Sequence, residues 1–101
     1  MNYLIAYDIS NNRIRLKIAQ LLRRAGLHRV QRSVFIGEMR DPVANKLEVQ
    51  LKDLSLKPEW EQNDHILILP LHQYSEDHQR TIGSVIYDWN LIYQKNHTLV
   101  L

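Results

Sequence analysis

The chain has 101 residues, 45% of them hydrophobic, with three Gly, three Pro and no Cys. That suffices for one small domain with a core, and it excludes disulfides, thiolate metal sites and a low-complexity chain. The formal net charge of +2 hides an asymmetry, because residues 1–40 carry eight Lys/Arg against Asp8 and Glu38 while residues 41–101 carry five against nine, so a polyanion is expected to meet the first half.

The first element is the apolar run Tyr3-Leu4-Ile5-Ala6-Tyr7, ended by Asp8. It reads as a buried strand over residues 2–8. It is too short and too soon acidic for a signal peptide, and no stretch is long enough to span a bilayer, so a cytoplasmic protein without membrane association is expected. Asp8 is the one acid in the first thirty-seven residues, and Ile9 to Gly37 holds seven of the thirteen Lys/Arg.

Ser10 or Asn11 can cap the helix that follows. Its apolar stripe is Ile14, Ile18, Leu21, Leu22 and Ala25; Arg13, Lys17 and Arg24 lie off that stripe, and Arg15 and Arg23 flank it. Gly26 is placed to end the helix in the left-handed region. Arg29 to Glu38 reads as one strand of mixed character, with one face on helices and the other at a partner surface, and a bulge can re-aim part of it.

Asp41-Pro42 predicts a helix start, with Asp41 as N-cap and a stripe of Val43, Leu47, Leu51 and Leu54. Leu56 to Asn63 is a loop containing Pro58 and Trp60. His65 to Leu71 is apolar on both parities and is expected to be a central strand. A polar loop, His72 to Gln79, leads to a short strand over Thr81–Ile86. The arrangement assigned is β-α-β-β-α-β, an α+β ferredoxin-like sandwich whose first and third strands are central, antiparallel neighbours. Residues 1–86 are taken as the domain and 87–101 as a C-terminal extension, where Leu91-Ile92-Tyr93 and Thr98 to Leu101 are surplus strand formers.

The chemistry centres on Asp8. Magnesium takes one or two carboxylates and keeps several waters, so one Asp8 is a partial site, and a two-fold dimer would bring two copies together. An ion there would polarise a scissile phosphate and supply hydroxide. The plainer reading is that Asp8 caps its turn. Arg15, Arg29 and Arg32 suit bidentate phosphate contact. Tyr7 either orients a base or packs, and Phe35 either stacks on a base or is buried. The five His show no ligand spacing, no Gly-rich phosphate loop is present, and Ser10 and Ser33 lack an evident base.

The string Tyr7-Asp8-Ile9-Ser10, the arginine-studded helix, and Gly26-Leu27-His28-Arg29-Val30-Gln31-Arg32-Ser33-Val34-Phe35-Ile36-Gly37-Glu38 resemble the CRISPR-associated protein 2 family. Ile66 to Leu71 resembles that family's third strand, with Pro70 in place. The resemblance implies a ferredoxin-like homodimer of prokaryotic adaptive immunity, active in spacer acquisition. It implies an endonuclease, in particular an endoribonuclease, for single-stranded RNA or double-stranded DNA, dependent on Mg²⁺ or Mn²⁺ held by Asp8 of each protomer. Tyr7, Arg15, Arg29 and Phe35 match positions tied to activity. Arg13, Arg15, Lys17, Arg29 and Arg32 are the expected nucleic-acid contacts, Lys17 standing where the family often has Arg. The resemblance also allows a scaffold that holds DNA between two dimers of a CRISPR integrase subunit, with the tail pairing with the partner protomer or docking the integrase. A stand-alone toxin-like ribonuclease is the third reading.

Overall fold

The computed structural model describes residues 1–72 together with 77, 78, 80 and 82. Six elements follow in order: β1 (Asn2–Asp8), α1 (Asn12–Arg24), β2 (His28–Gln31), β3 (Val34–Glu38), α2 (Asp41–Ser55) and β4 (His65–Leu71). They form one four-stranded sheet in the order β2-β3-β1-β4, with β1 antiparallel to both β3 and β4. This is the expected ferredoxin-like arrangement, with β1 and β3 central.

Register decides what each face does. Ile5 lies opposite Phe35 on one side and Ile68 on the other, while Leu4 lies opposite Ile36 and Leu69. Because side chains alternate along a strand, Ile5 and Tyr7 face one way and Leu4, Ala6 and Asp8 the other. The first face is the core. Ile5, Tyr7 and Phe35 join Ile14, Ile18 and Leu22 of α1 and Leu47, Leu51 and Leu54 of α2 in one buried cluster. The second face carries no helix of the described residues, and there Leu67 and Leu69 are 50% and 44% exposed.

α1 forms where the sequence places it. Asn11 is the N-cap, its side chain accepting the Ile14 N–H at 3.1 Å. Gly26 takes φ of 95°, a conformation that a side chain would resist. Gly37 is needed for a different reason. A Cβ there would lie 2.9 Å from the Leu27 side chain and 3.1 Å from its Cα, so β3 passes too close to the α1–β2 connection for any larger residue.

Four expectations are corrected. Arg29–Glu38 is a hairpin and not one strand: the chain turns at Arg32-Ser33, and β2 pairs with β3 with a register shift between Arg29 and Gln31. This hairpin supplies the second of the two middle strands that the β-α-β-β-α-β order requires. β4 is not central but lies at the edge of the described sheet, where Pro70 removes a donor at small cost. Its two apolar parities reflect a helix-covered row, Ile66 and Ile68, and a helix-free row, Leu67 and Leu69. Arg40, not Asp41, is the N-cap of α2, and it makes no side-chain capping bond; Asp41 sits in the first turn beside Pro42. Val43 is 38% exposed, and Ala44 packs against the core in its place. The sheet is already four-stranded at Leu71, and the strand expected over Thr81–Ile86 lies outside the described residues, apart from an exposed Ile82. The extension at 87–101 lies wholly outside them. No helix of the described residues is long and apolar enough to cross a membrane.

Candidate nucleic-acid interface

Three separate elements deliver arginines to one place. Arg15 lies one turn into α1, on the flank of its buried stripe; Arg29 is on β2; Arg32 is in the β2–β3 turn. They line a pocket of about 370 Å³ with Tyr7, Asn12, Leu16 and Ala19. The turn is pinned to β1 because the Tyr7 N–H donates to the Ser33 carbonyl at 3.1 Å. Ala19, one turn beyond Arg15, is small enough to leave the concavity open.

Phe35 sets the direction of Arg29. The ring is fully buried, with its centroid 6.3 Å from that of Tyr7. The Arg29 guanidinium lies 5.1 Å from the Phe35 ring centroid, and that of Arg23 lies 5.9 Å from it. Stacking on an aromatic ring orients a guanidinium without using its N–H donors. Of the two alternatives for Phe35, stacking on a base or burial, the structure shows burial: the ring packs beneath the pocket, against the Arg29 guanidinium. Tyr7 is 6% exposed and packs at the pocket wall.

None of Arg15, Arg29 and Arg32 pairs with a carboxylate of the described residues. A concave surface with three uncompensated guanidinium groups suits an oxyanion with several oxygens, above all a phosphodiester. Arg13 and Lys17 are exposed on α1 and do not line the pocket; their charges add to the positive field around it.

Asp8 is exposed at the end of β1, opposite His65 in the β1–β4 register. Its parity places it away from Tyr7, so the acid and the arginine pocket lie on opposite sides of one strand end. Among the described residues there is no grouping of three or more His, Cys, Asp or Glu that could hold a metal. A single exposed carboxylate has the right donor chemistry for Mg²⁺ but is by itself a partial site.

Two features were not legible in the sequence. Asp64 is buried between β4 and the loop after β1, and both its oxygens accept hydrogen bonds: Oδ2 from the Glu61 N–H at 2.8 Å, Oδ1 from the Ser10 N–H at 3.0 Å and the Ser10 hydroxyl at 3.1 Å. The Glu61 amide, against the opposing effect of burial and aided by Ser10 and by the nearby His65, holds the Asp64 carboxyl below the usual carboxylate range. On β2, the His28 Nε2 is buried without a hydrogen-bond partner, and burial lowers the imidazole pKa from its ordinary value.

The family model described as CRISPR associated protein Cas2 matches residues 1–79. The CRISPR-associated endoribonuclease Cas2 of Korarchaeum cryptofilum is 37% identical over 71 residues, covering 70% of this chain and 72% of that protein. The CRISPR-associated endoribonuclease Cas2 1 of Archaeoglobus fulgidus is 40% identical over 73 residues, covering 72% and 73%. A chain of a partial Cas6-RT-Cas1–Cas2 complex shares the fold with a TM-score of 0.66 at 24% identity, covering 84% of this chain and 96% of that one. With the motifs, the strand order and more than three quarters of its length matched, the chain belongs to the CRISPR-associated Cas2 family.

Proposed function

We propose that this protein is a homodimeric, CRISPR-associated nucleic-acid-binding protein of spacer acquisition that cuts phosphodiester bonds, those of RNA foremost, with a divalent cation. One observation carries the reading: three arginines without carboxylate partners among the described residues converge on a pocket at the end of the strand that carries Asp8. The endoribonuclease names of the K. cryptofilum and A. fulgidus relatives support it.

The geometry supports a division of labour. Arg15, Arg29 and Arg32 hold backbone phosphates, Phe35 orients Arg29, and Arg13 and Lys17 raise the local concentration of polyanion. These contacts position a strand without reading its sequence. The helix-free face, with Leu67 and Leu69 half exposed, is apolar enough to pack on a second copy. That packing would bring two Asp8 carboxylates to one axis, where they would hold Mg²⁺ or Mn²⁺. Bound there, the ion would polarise the scissile phosphate.

A second reading uses the same arginines without cutting. A structural neighbour occurs in a complex with Cas1, which supports a DNA-holding scaffold for an integrase partner. The deciding experiment incubates the purified protein with single-stranded RNA and with duplex DNA, in Mg²⁺ or EDTA, beside Asp8→Ala. Cutting that needs Mg²⁺ and falls at least about a hundredfold in Asp8→Ala is the expected result. Equal binding with no cutting in either protein would leave the scaffold.

A further inference from the structure

Asp64 is charged, only 8% exposed, and has no part in gripping or cutting as described above. A carboxylate withdrawn from water is costly unless its lone pairs are filled. Its two oxygens are filled from two different places. One closes the local loop through the Glu61 N–H. The other reaches 54 residues back along the chain and takes both donors of Ser10.

Ser10 is the middle of a short connection. Asp8 lies two residues before it, and Asn11, the cap of α1, directly after it. Ile9, between Asp8 and Ser10, is 3% exposed and set into the core. The first turn of α1 then presents Asn12 and Arg15 to the phosphate pocket. The Asn11 cap alone would suffice to start the helix, and the Glu61 bond alone to shape the turn before β4. The two hydrogen bonds from Ser10 do something further: they tie the loop after β1 to the start of β4, at the end of the β1–β4 pair where Asp8 faces His65 in register.

We propose that Asp64 is a positioning residue: through Ser10 it fixes the connection that aims Asp8 to one side of β1 and sets the Arg15 turn of α1 on the other. The carboxylate and the phosphate grip are thereby held in one relation to each other. The catalytic half of this inference rests on the cleavage reading above. Misplacement of a reacting group by about 1 Å can cost roughly a hundredfold in rate, so a loop held at its midpoint matters for turnover more than for affinity.

The test compares full-length Asp64→Ala, Asp64→Asn and Ser10→Ala with wild type and Asp8→Ala. Two measurements are made: amide hydrogen exchange over residues 8–12, and kcat and KM for Mg²⁺-dependent cutting of single-stranded RNA. Asp64→Ala is expected to speed exchange at Ser10 by about tenfold or more. Its kcat is expected to fall about ten- to a hundredfold, with KM within about twofold of wild type. Asp64→Asn keeps an oxygen for Ser10 and should recover most of kcat even with a lower melting temperature, which a merely structural role would not produce. Should Asp64→Ala fail to fold, Ser10→Ala carries the test, with the same changes at smaller size. Unchanged exchange at residues 8–12 in Asp64→Ala, or in Ser10→Ala where that variant carries the test, overturns the proposal. So does unchanged kcat beside an inactive Asp8→Ala. An Asp8→Ala that cuts like wild type defeats the cleavage reading instead, and the exchange measurement still decides whether Asp64 holds the connection.

Discussion

Tyr7 and Asp8 are neighbours in the chain, yet they belong to two regions built on different terms. The pocket on the Tyr7 side is complete within one chain: β1, α1, β2 and the β2–β3 turn each contribute to it, and Phe35 braces it from below. The Asp8 side offers one exposed carboxylate, opposite His65, at the rim of an apolar face that no helix of the described residues covers, and no grouping of three or more potential metal ligands among the described residues. In the reading proposed above, gripping nucleic acid would be a property of the protomer, whereas cutting it would need a second copy. The contrast shows why a dense basic face and a lone acid can occur together without neutralising one another: the pleat of β1 separates them.

The sharpest way to break this comparison is to separate the copies. Leu67→Glu with Leu69→Glu places two like charges on the helix-free face of each protomer. The double variant should run as a monomer in gel filtration and lose at least about a hundredfold in cutting, while each protomer keeps its arginine pocket. A variant that remains dimeric and active would move the dimer contact elsewhere. A smaller effect is expected from the other side. Arg15→Ala with Arg32→Ala should lower the slope of log affinity against log salt by about one unit for each phosphate no longer gripped, leaving the oligomeric state unchanged. An unaltered slope would remove the pocket from the interface.

The smallest effect concerns pH. Burial holds the His28 imidazole pKa below its ordinary value, so between that depressed value and about 6.5 the unfolded chain binds more protons than the folded one. Stability from this residue is therefore full above about pH 6.5, falls as the pH drops below it, and levels off below the folded pKa. Thermal melting of His28→Gln, compared with wild type between pH 7 and pH 5, should show a flatter profile in the variant. Asp64 behaves in a lower window: its depressed pKa contributes stability above the ordinary carboxylate value of about 4, lost as the pH falls through the folded value. The two profiles can be told apart for that reason.

Local signals were readable where they act over a few residues. The Asn11 cap, the α1 stripe and the positive φ at Gly26 each depend on neighbours within about a turn. The β2–β3 hairpin escaped because its turn is Arg32-Ser33, with none of the Gly, Asn or Pro that announces a turn. The edge position of β4 is not legible because apolar residues on both parities suit a central strand as well as an edge strand with one helix-covered and one open row. The arginines were legible as a group, but their convergence depends on the hairpin, and the stacking of Arg23 on Phe35 has no sequence pattern. Asp64 was hidden most deeply, since its partner Ser10 lies 54 residues away.

The alternation along β1 also constrains how the family can change. Inserting or deleting one residue between Ile5 and Tyr7 would turn the acid toward the helices and the tyrosine toward the opposite face. No gradual path leads through such a change, because both placements would be lost in the same step. The spacing of Tyr7-Asp8 is thus locked by geometry, while the identities of exposed cations such as Lys17 stay free to drift. Variation among relatives of this chain should accordingly appear as exchanges on the outer surface of α1 and hardly ever as length changes in β1.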